Sequence, residues 1–331
     1  MRGALGRGRG MARWAPLAVA VALLAGGCAR PATTDAGATT TENSPSSAAS
    51  TVVTSADLST ETATPSEPPP TTEPTTSDAT SSSSAAPTVP GCHPATIPTR
   101  HAGTLTLATT ADPSAPWFTG ADPSDGQGYE AALATEVATR LGYGSDTVSW
   151  ITVSEQDGTS GTGGFDAYLG QVIIPDKPTD AVSYSTGYFD DISVVLAKEG
   201  SPASGIDSMS QLAALQVGSL GGPAVPDLKV SRTFTSGTAA ASDLQSGAVD
   251  AVVAPLSVAA DPKAVGGLQA FARVPDAPGW QARQLGMVSP AGSGVTDCLS
   301  KAIDMLRVDG TLTELAQRWL PASTLPVLAD R

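Results

Sequence analysis

The segment between residues 29 and 91 contains very few side chains from which a hydrophobic core could be built. It consists mainly of Ser, Thr, Ala and Pro with scattered acids, and it has no Lys or Arg after Arg30. A chain of this composition cannot bury enough apolar surface to offset the entropy that it loses on ordering. We therefore predict a disordered stalk over 29–91, a folded domain over 92–322 and a short tail at 323–331.

The first 28 residues have the pattern of an export signal. Four arginines precede an apolar run, APLAVAVALLAGG (15–27), which is too short to span a bilayer as a helix. The end of this run, LLAGGC, resembles the lipobox of bacterial lipoproteins, in which Cys28 becomes the acylated first residue of the mature chain. We therefore expect a protein held by a lipid at the extracytoplasmic face of a bacterial cell membrane. The alternative is an ordinary signal peptide with an incidental cysteine.

Charge and composition exclude several kinds of site. The formal net charge is −14, which argues against nucleic-acid binding because no basic stripe could replace phosphate counterions. The chain has two histidines, His93 and His101, without metal-ligand spacing, so no metal and no cofactor are expected. No paired carboxylates and no Ser-His-Asp set are recognisable, so no enzymatic activity is expected.

The three cysteines suggest one disulfide. If Cys28 carries a lipid, Cys92 and Cys298 remain, and two cysteines in an exported domain favour a bridge. Such a bridge would join the start of the domain to a late helix. The alternative is a pair of unbonded buried thiols.

Strand-like and helix-like patterns alternate along the domain. Strands are predicted at 104–109, 148–153, within 165–174, at 192–197, at 215–220 and at the end of 242–254. Helices are predicted at 128–142 with Gly142 as C-cap, at 208–215 with Ser208 as N-cap, at the start of 242–254, and twice within 294–320 with a break at Asp309-Gly310. This alternation predicts an α/β protein with mostly parallel sheets.

Five motifs occur in one order. They are GTLTLATTADPSAPWF (103–118), GQGYEAALATEVATRLG (126–142), FDAYLGQVIIPDKPTDAVSYSTGY (165–188), SGAVDAVVAPLSVA (246–259) and VDGTLTELAQRWL (308–320). In this order they resemble the extracellular solute-binding proteins of amino-acid-type ABC importers, which have the type II periplasmic-binding-protein fold. The alternative is an unrelated α/β domain.

The resemblance implies two lobes with a ligand cleft between them. Lobe one would comprise about 100–188 and 288–320, and lobe two about 190–284. The chain would cross between the lobes just after Tyr188 and again near 285–287. A cleft of this kind closes by a hinge motion around its ligand.

The resemblance also implies a binding site. Lys177 stands where members of the family carry the arginine that grips an α-carboxylate, and Val172 stands where a hydroxyl is common. Pro255 stands where an aspartate usually meets the ligand's ammonium group. The full set of predicted ligand-binding residues is Asp112, Trp117, Gly170, Val172, Lys177, Gly222 and Pro255.

Alternatives remain for several of these residues. Lys177 could be a solvated loop residue, Asp112 a turn former before Pro113, and Trp117 a core residue. Trp280 and Trp319 are assigned to packing, and Tyr184 to the core of lobe one.

Both walls of the cleft are predicted to be thinner than is usual in the family. EQDGTSGTGG (155–164) is predicted to be a loop without helical pattern, and PAVPDLKV (223–230) has little room for a helix.

Three functions are compatible with these patterns. The first is a monomeric, lipid-anchored protein that captures a small polar ligand, such as an amino acid derivative, for an ABC permease. The second is a ligand sensor or scaffold that acts on a membrane partner without transport. The third is an enzyme on the same fold, which no recognisable catalytic set supports.

Overall fold

The computed structural model describes residues 86–177, 180–222, 224–266, 268–276 and 283–330. The predicted export signal, Cys28, most of the predicted stalk and Trp280 lie outside these residues. Among the residues that the structure describes, no helix combines the length and apolarity needed to cross a lipid bilayer.

The folded part contains twelve strands and seven α-helices in the described ranges. The strands are β1 (Leu105–Thr110), β2 (Val148–Val153), β3 (Ala167–Tyr168), β4 (Val182–Tyr184), β5 (Phe189–Asp191), β6 (Ser193–Ala197), β7 (Val217–Leu220), β8 (Val230–Phe234), β9 (Ala251–Pro255), β10 (Gln269–Arg273), β11 (Arg283–Leu285) and β12 (Val288–Pro290). The helices are α1 (Tyr129–Arg140), α2 (Glu155–Ser160), α3 (Met209–Ala213), α4 (Gly237–Ser246), α5 (Leu256–Ala259), α6 (Val295–Val308) and α7 (Thr311–Trp319).

Two five-stranded sheets form the centres of two lobes. The sheet of lobe one has the order β2-β1-β3-β12-β4, and the sheet of lobe two has the order β10-β6-β9-β7-β8. The pairs β1–β2, β1–β3, β7–β8 and β7–β9 are parallel, whereas β12 and β6 run antiparallel to their neighbours. In each sheet four strands run in one direction and one strand, β12 or β6, runs against them, so the prediction of mostly parallel sheets is correct for strand direction, although four of the eight strand pairs are antiparallel. Both β12 and β6 follow directly on a crossing between the lobes, so no helical crossover connection turns them parallel.

Most predicted elements are confirmed. The strand predicted at 148–153 is β2 over the same residues, and the late helices α6 and α7 are separated at Asp309-Gly310. Helix α1 ends just before Gly142, whose φ of 78° is the left-handed conformation typical of a residue after a helix. Ser208 is the N-cap residue of α3, although its side chain makes no capping hydrogen bond.

The segment 155–164 corrects one prediction, because it begins with a helix rather than a loop. Helix α2 is capped by Ser154, whose hydroxyl accepts a hydrogen bond from the Asp157 N–H at 3.1 Å. Gly158 faces the ring of Tyr168, and a Cβ at this position would lie 2.4 Å from a ring carbon. The helix thus uses a glycine for close packing, which a search for periodic apolar side chains does not detect. Within 224–229 the described residues form no helix, as predicted.

The buried hydrophobic residues of lobe one form a small cluster of five that includes Phe165 and Tyr168, and one large core. The large core includes Leu107 of β1, Leu133 of α1 and Ile303 of α6, all fully buried. Cys92 and Cys298 belong to the same core and form a disulfide with Cα atoms 5.7 Å apart, so the predicted bridge is confirmed. The core of lobe two is divided into two smaller clusters.

Three stretches of chain connect the lobes. The first two, β5 and β11, pair with each other as a two-stranded antiparallel ribbon. The third is residues 321–330, which we call the C-terminal strap. In it Val327 pairs with Arg273 of β10, and Leu328 is buried in the core of lobe two. The sequence predicted this segment only as a tail, because one short apolar pair is too little to indicate a strand.

Candidate functional site

The predicted site residues follow the ends of parallel strands. Asp112 comes two positions after the end of β1, and Gly170 comes two positions after the end of β3. These two strands are neighbours in lobe one. Gly222 comes two positions after β7, and Pro255 ends β9, its neighbour in lobe two. In open α/β sheets ligands bind outside the carboxyl ends of the strands. Each lobe therefore contributes one strand-end surface to the candidate cleft.

Among the predicted site residues, two charged side chains of lobe one lie at the surface. Asp112 and Lys177 are both exposed. Neither makes a side-chain hydrogen bond or an ion pair with another residue in the described ranges. Their charges are therefore available to a ligand or to solvent.

The loop that leads to Lys177 is attached to the second crossing. The Ile174 N–H donates to the carbonyl of Gln284 at 2.8 Å, and the Gly286 N–H donates to the carbonyl of Val172 at 2.9 Å. Ile173 forms an antiparallel bridge with Leu285 between these two bonds. Residues 172–174 thus behave as an additional strand beside the hinge, and any movement of the second crossing moves the Lys177 loop.

Gly222 and Pro255 lie against each other in lobe two. Gly222 has a φ of 75°, and a Cβ at this position would lie 3.2 Å from the ring of Pro255. Pro255 is buried and is the N-cap residue of α5, without a side chain that could cap the helix. This half of the site consists of backbone and apolar surface.

Trp117 is fully buried in the core of lobe one. Its ring meets Tyr129 edge-on at 5.6 Å between centroids and Phe189 at 5.9 Å. This packing favours the core alternative for Trp117, and ligand contact would require the ring to move. Trp319 and Tyr184 are partly buried beside core clusters of lobe one, in agreement with their assignment to packing.

A buried carboxylate, which the sequence interpretation missed, holds the Gly170–Val172 turn. Glu130 accepts hydrogen bonds from the backbone N–H and the side-chain amide of Gln171, both at 2.8 Å. It also accepts one from the hydroxyl of Tyr188 at the first crossing. Gln171 has a φ of 51°, a left-handed conformation that is uncommon outside glycine, and the two bonds to Glu130 stabilise it.

Burial dominates the electrostatics of Glu130. Loss of solvent raises the pKa of this carboxyl above its ordinary value, while the hydrogen bonds from Tyr188 and Gln171 partly oppose that rise. The same burial, with the charges of Glu130 and Glu155 nearby, raises the pKa of the Tyr168 phenol to about 12.

A second buried carboxylate, also missed, connects both crossings to α5. Asp191 of β5 accepts from the backbone N–H of Ser257 at 2.8 Å and from its hydroxyl at 2.9 Å. Arg283 of β11 donates to the same carboxylate at 3.1 Å. Because Pro255 has no capping group, Asp191 supplies the acceptor that the start of α5 lacks. Burial raises the pKa of Asp191, and the bonds from Ser257 and Arg283 oppose that effect.

Both carboxylates left a signal in the sequence. Glu130 shares one helical face with Leu133, Ala134 and Val137, at spacings of three, four and seven residues, and an acid on an apolar face needs partners. Asp190 and Asp191 are adjacent in a strand, where side chains alternate between the two faces, so one of the two acids is buried when one face of the strand packs against the protein.

Metal binding receives no support from side-chain clustering. Within the described residues no group of three or more His, Cys, Asp or Glu side chains could hold an ion.

Comparison with known proteins identifies a family model and structural relatives. The model described as bacterial extracellular solute-binding proteins, family 3, matches residues 105–322. No curated protein matches the sequence. The second substrate-binding domain of GlnP from Lactococcus lactis, in its open conformation, is 19% identical with a TM-score of 0.50, over 65% of this chain and 94% of that one.

Two further solved structures are similar. The second substrate-binding domain of a putative amino acid ABC transporter from Streptococcus pneumoniae is 17% identical over 66% of this chain and 100% of that one, with a TM-score of 0.49. An ancestral cationic amino acid solute-binding protein is 23% identical over 65% of this chain and 95% of that one, with a TM-score of 0.46. The family match and the arrangement of sheets confirm the two-lobed type II fold that the sequence predicted.

Proposed function

Because this chain belongs to family 3 of the bacterial extracellular solute-binding proteins, we propose that it captures a small polar ligand between its lobes for an ABC importer. The observation that carries the proposal is the extent of the family match, which includes both sheets and both ribbon strands of the hinge. In this proposal the protein binds its ligand as a monomer and does not change it chemically.

The proposed ligand carries a carboxylate and belongs to the amino acid derivatives or related compounds. Lys177 is exposed on a loop attached to the hinge, and it has no ion-pair partner in the described residues. Lysine acts as a point charge, whereas arginine offers a two-pronged fork, so orientation of the carboxylate depends on other contacts. Val172 and Pro255 offer no polar side chain, which makes tight recognition of an ordinary free α-amino acid unfavourable.

We further propose that Cys28 anchors the protein to the outer face of the membrane and that residues 29–91 hold the domain away from it. The support is the motif LLAGGC followed by a segment without core-forming residues. Cys28→Ala should release the protein from the membrane fraction into the medium. Unchanged membrane association of a correctly exported variant would refute the anchor.

The ligand is best sought by thermal shift. A ligand that binds only the folded state raises the melting temperature at sufficient concentration, so amino acids, amines, osmolytes and dipeptides should be screened. For a carboxylate ligand found in this way, Lys177→Met should weaken binding about ten- to a hundredfold through loss of one charge-assisted contact. Lys198→Met, at an exposed lysine of lobe two, is the matched control and should bind as the wild type.

The result that would refute this site is equally specific. If an ordinary α-amino acid binds tightly and its affinity is the same in Lys177→Met, then Lys177 is a solvated loop residue and the ligand lies elsewhere.

The apolar positions of the site also fit a second candidate, a ligand sensor or scaffold that acts on a membrane partner without transport. Copurification from membranes with an ABC permease supports transport. Copurification with a different membrane protein, together with unchanged uptake when the gene is deleted, supports the second candidate.

A further inference from the structure

A cavity of about 490 Å³ is lined by two of the three connections between the lobes, the first crossing and the C-terminal strap. The first crossing, from Tyr188 to Ile192, forms part of its wall, and Thr313 and Gln317 of α7 form another part. Ser323 and Thr324 of the C-terminal strap complete it. We call this cavity the hinge pocket. None of the residues predicted for the ligand cleft lines it, and its volume is in the range of small-molecule sites.

Two arginines from different lobes line the hinge pocket. Arg273 belongs to β10 of lobe two, and its Nε donates to the carbonyl of Leu325 in the strap at 2.8 Å. Neither terminal nitrogen of Arg273 forms a hydrogen bond or an ion pair with a described residue. One nitrogen of the guanidinium is thus fixed, while the other two remain available to a ligand.

Arg307 contributes the second guanidinium from the last turn of α6 in lobe one. It donates to the carbonyl of Gly187, next to the first crossing, and it pairs with Asp304. Asp304 is half exposed and does not line the pocket, so solvent weakens this pair. Arg307 is therefore fixed at the hinge by a backbone contact while part of its charge remains uncompensated.

The charge of the pocket is positive, although the whole chain is strongly acidic. Asp190 is the acid among the lining residues, against two arginines, and its carboxylate already accepts from the amide of Gln284 at 2.8 Å. Thr313, Gln317 and Ser323 add neutral donors around the same space. Guanidinium groups bind carboxylate and phosphate oxygens through two parallel hydrogen bonds.

We propose that the hinge pocket is a second binding site, in which Arg273 of lobe two and Arg307 of lobe one together hold a small oxyanion with two or more negative charges. A di- or tricarboxylate and a phosphate share this chemistry. Because the two arginines belong to different lobes, the bound anion stabilises one relative arrangement of the lobes. Its binding is then coupled to binding in the cleft, and the coupling is reciprocal.

The test uses the full chain with succinate, citrate and inorganic phosphate as probes. Each is titrated by calorimetry and by thermal shift, against sodium chloride at the same ionic strength. We expect saturable binding of at least one probe with a matching rise in melting temperature. Preference for citrate and succinate over phosphate assigns a carboxylate ligand, and the reverse order assigns a phosphate. If none of the three gives a saturable signal beyond that of chloride, the proposal is overturned.

Variants locate the site. Arg273→Gln and Arg307→Gln should each weaken the bound probe about ten- to a hundredfold. Arg100→Gln removes an exposed arginine outside the pocket and should leave affinity unchanged. Equal affinity in wild type, Arg273→Gln and Arg307→Gln would overturn the proposal.

A further variant keeps the test valid if the loss of Arg273 disturbs the strap. Thr313 is exposed on α7, and its side chain forms no hydrogen bond with a described residue, so Thr313→Asp should fold normally. The added carboxylate should compete with the anion for both arginines and weaken binding by at least about tenfold. Unchanged affinity in a folded Thr313→Asp protein would place the anion elsewhere and overturn the proposal.

Discussion

The two halves of the candidate cleft are constructed differently. In lobe one the turn at Gly170–Val172 is fixed by the buried carboxylate of Glu130, and the following loop presents Lys177 to solvent. In lobe two the corresponding strand ends carry Gly222 packed on Pro255, without a polar side chain. Lobe one therefore presents a charged group at the candidate cleft, whereas lobe two presents a shaped apolar surface.

The cores of the lobes repeat this contrast. Lobe one has one large core and a cluster of five buried residues, lies under helices of 12, 6, 14 and 9 residues, and is closed by the disulfide. Lobe two has two smaller clusters, covered by helices of 5, 10 and 4 residues, and it needs Leu328 of the strap to complete one of them. Lobe one thus has the features of a stable platform, and lobe two depends on chain that arrives from lobe one.

The largest expected effect comes from removing the disulfide. Cys92→Ser with Cys298→Ser should lower the free energy of unfolding by about 2–5 kcal/mol, because the bridge closes a long loop in the unfolded chain. Both cysteines lie in the core of lobe one, so calorimetry should show this lobe unfolding at lower temperature, before lobe two. Cys28→Ser is the control. An unchanged melting profile of the double variant would show that the disulfide does not make lobe one more stable than lobe two.

The second-largest loss of stability should come from a substitution at the connection between the lobes. Asp191→Asn keeps the size of the side chain but removes the charge that accepts from Arg283 and Ser257. We expect a loss of about 1–3 kcal/mol, since a buried charge-assisted cluster is left only partly satisfied. Asp146→Asn, at an exposed loop residue, should change stability very little. Equal melting temperatures of the two variants would show that Asp191 does not hold the hinge.

Local elements were predictable from the sequence, and long-range ones were not. β2 and the break between α6 and α7 follow from periodicity and from Gly310, which are properties of neighbouring residues. The direction of β12 depends on where the chain re-enters lobe one, and the strap depends on the open edge of β10. No short window of sequence contains that information.

The site shows the same division. Lys177 lies within the third motif, and Gly222 comes two positions after the strand predicted at 215–220, so both residues could be assigned from nearby sequence once the resemblance was recognised. The partners of the buried acids could not be assigned in this way, because Gln171 is 41 residues from Glu130 and Arg283 is 92 residues from Asp191. Sequence patterns could indicate that these acids need partners, but only the fold identifies which residues serve.

A smaller effect should appear in the pH dependence of lobe one. The pKa of Glu130 is raised in the folded state above its ordinary value of 4.5. Stability from a raised pKa is complete below about pH 4.5 and is lost as the pH rises through the folded value. Glu130→Gln removes this titration, so the stability of the wild type relative to the variant should decrease as the pH rises from 4.5 towards neutrality.

Melting temperatures of wild type and variant across this pH range are the measurement. Glu314→Gln, at an exposed residue of α7, should follow the wild type at every pH. A difference between wild type and Glu130→Gln that is constant with pH would mean that the pKa of Glu130 is the same in the folded and the unfolded state. The buried carboxylate of Glu130 would then not be a feature that distinguishes the lobe-one half of the site from the lobe-two half.

The smallest effect concerns the lobe-two half and uses two adjacent glycines. Gly221 and Gly222 have φ values of 66° and 75°, so alanine at either position costs about 1 kcal/mol in the left-handed conformation. A Cβ at Gly221 meets nothing within 4 Å, whereas one at Gly222 lies 3.2 Å from the ring of Pro255. Gly222→Ala should therefore destabilise the protein slightly more than Gly221→Ala, and any loss of ligand affinity should be confined to Gly222→Ala. If the two variants melt at the same temperature and bind equally well, the loop moves freely from Pro255, and the lobe-two half is not the packed surface that the comparison requires.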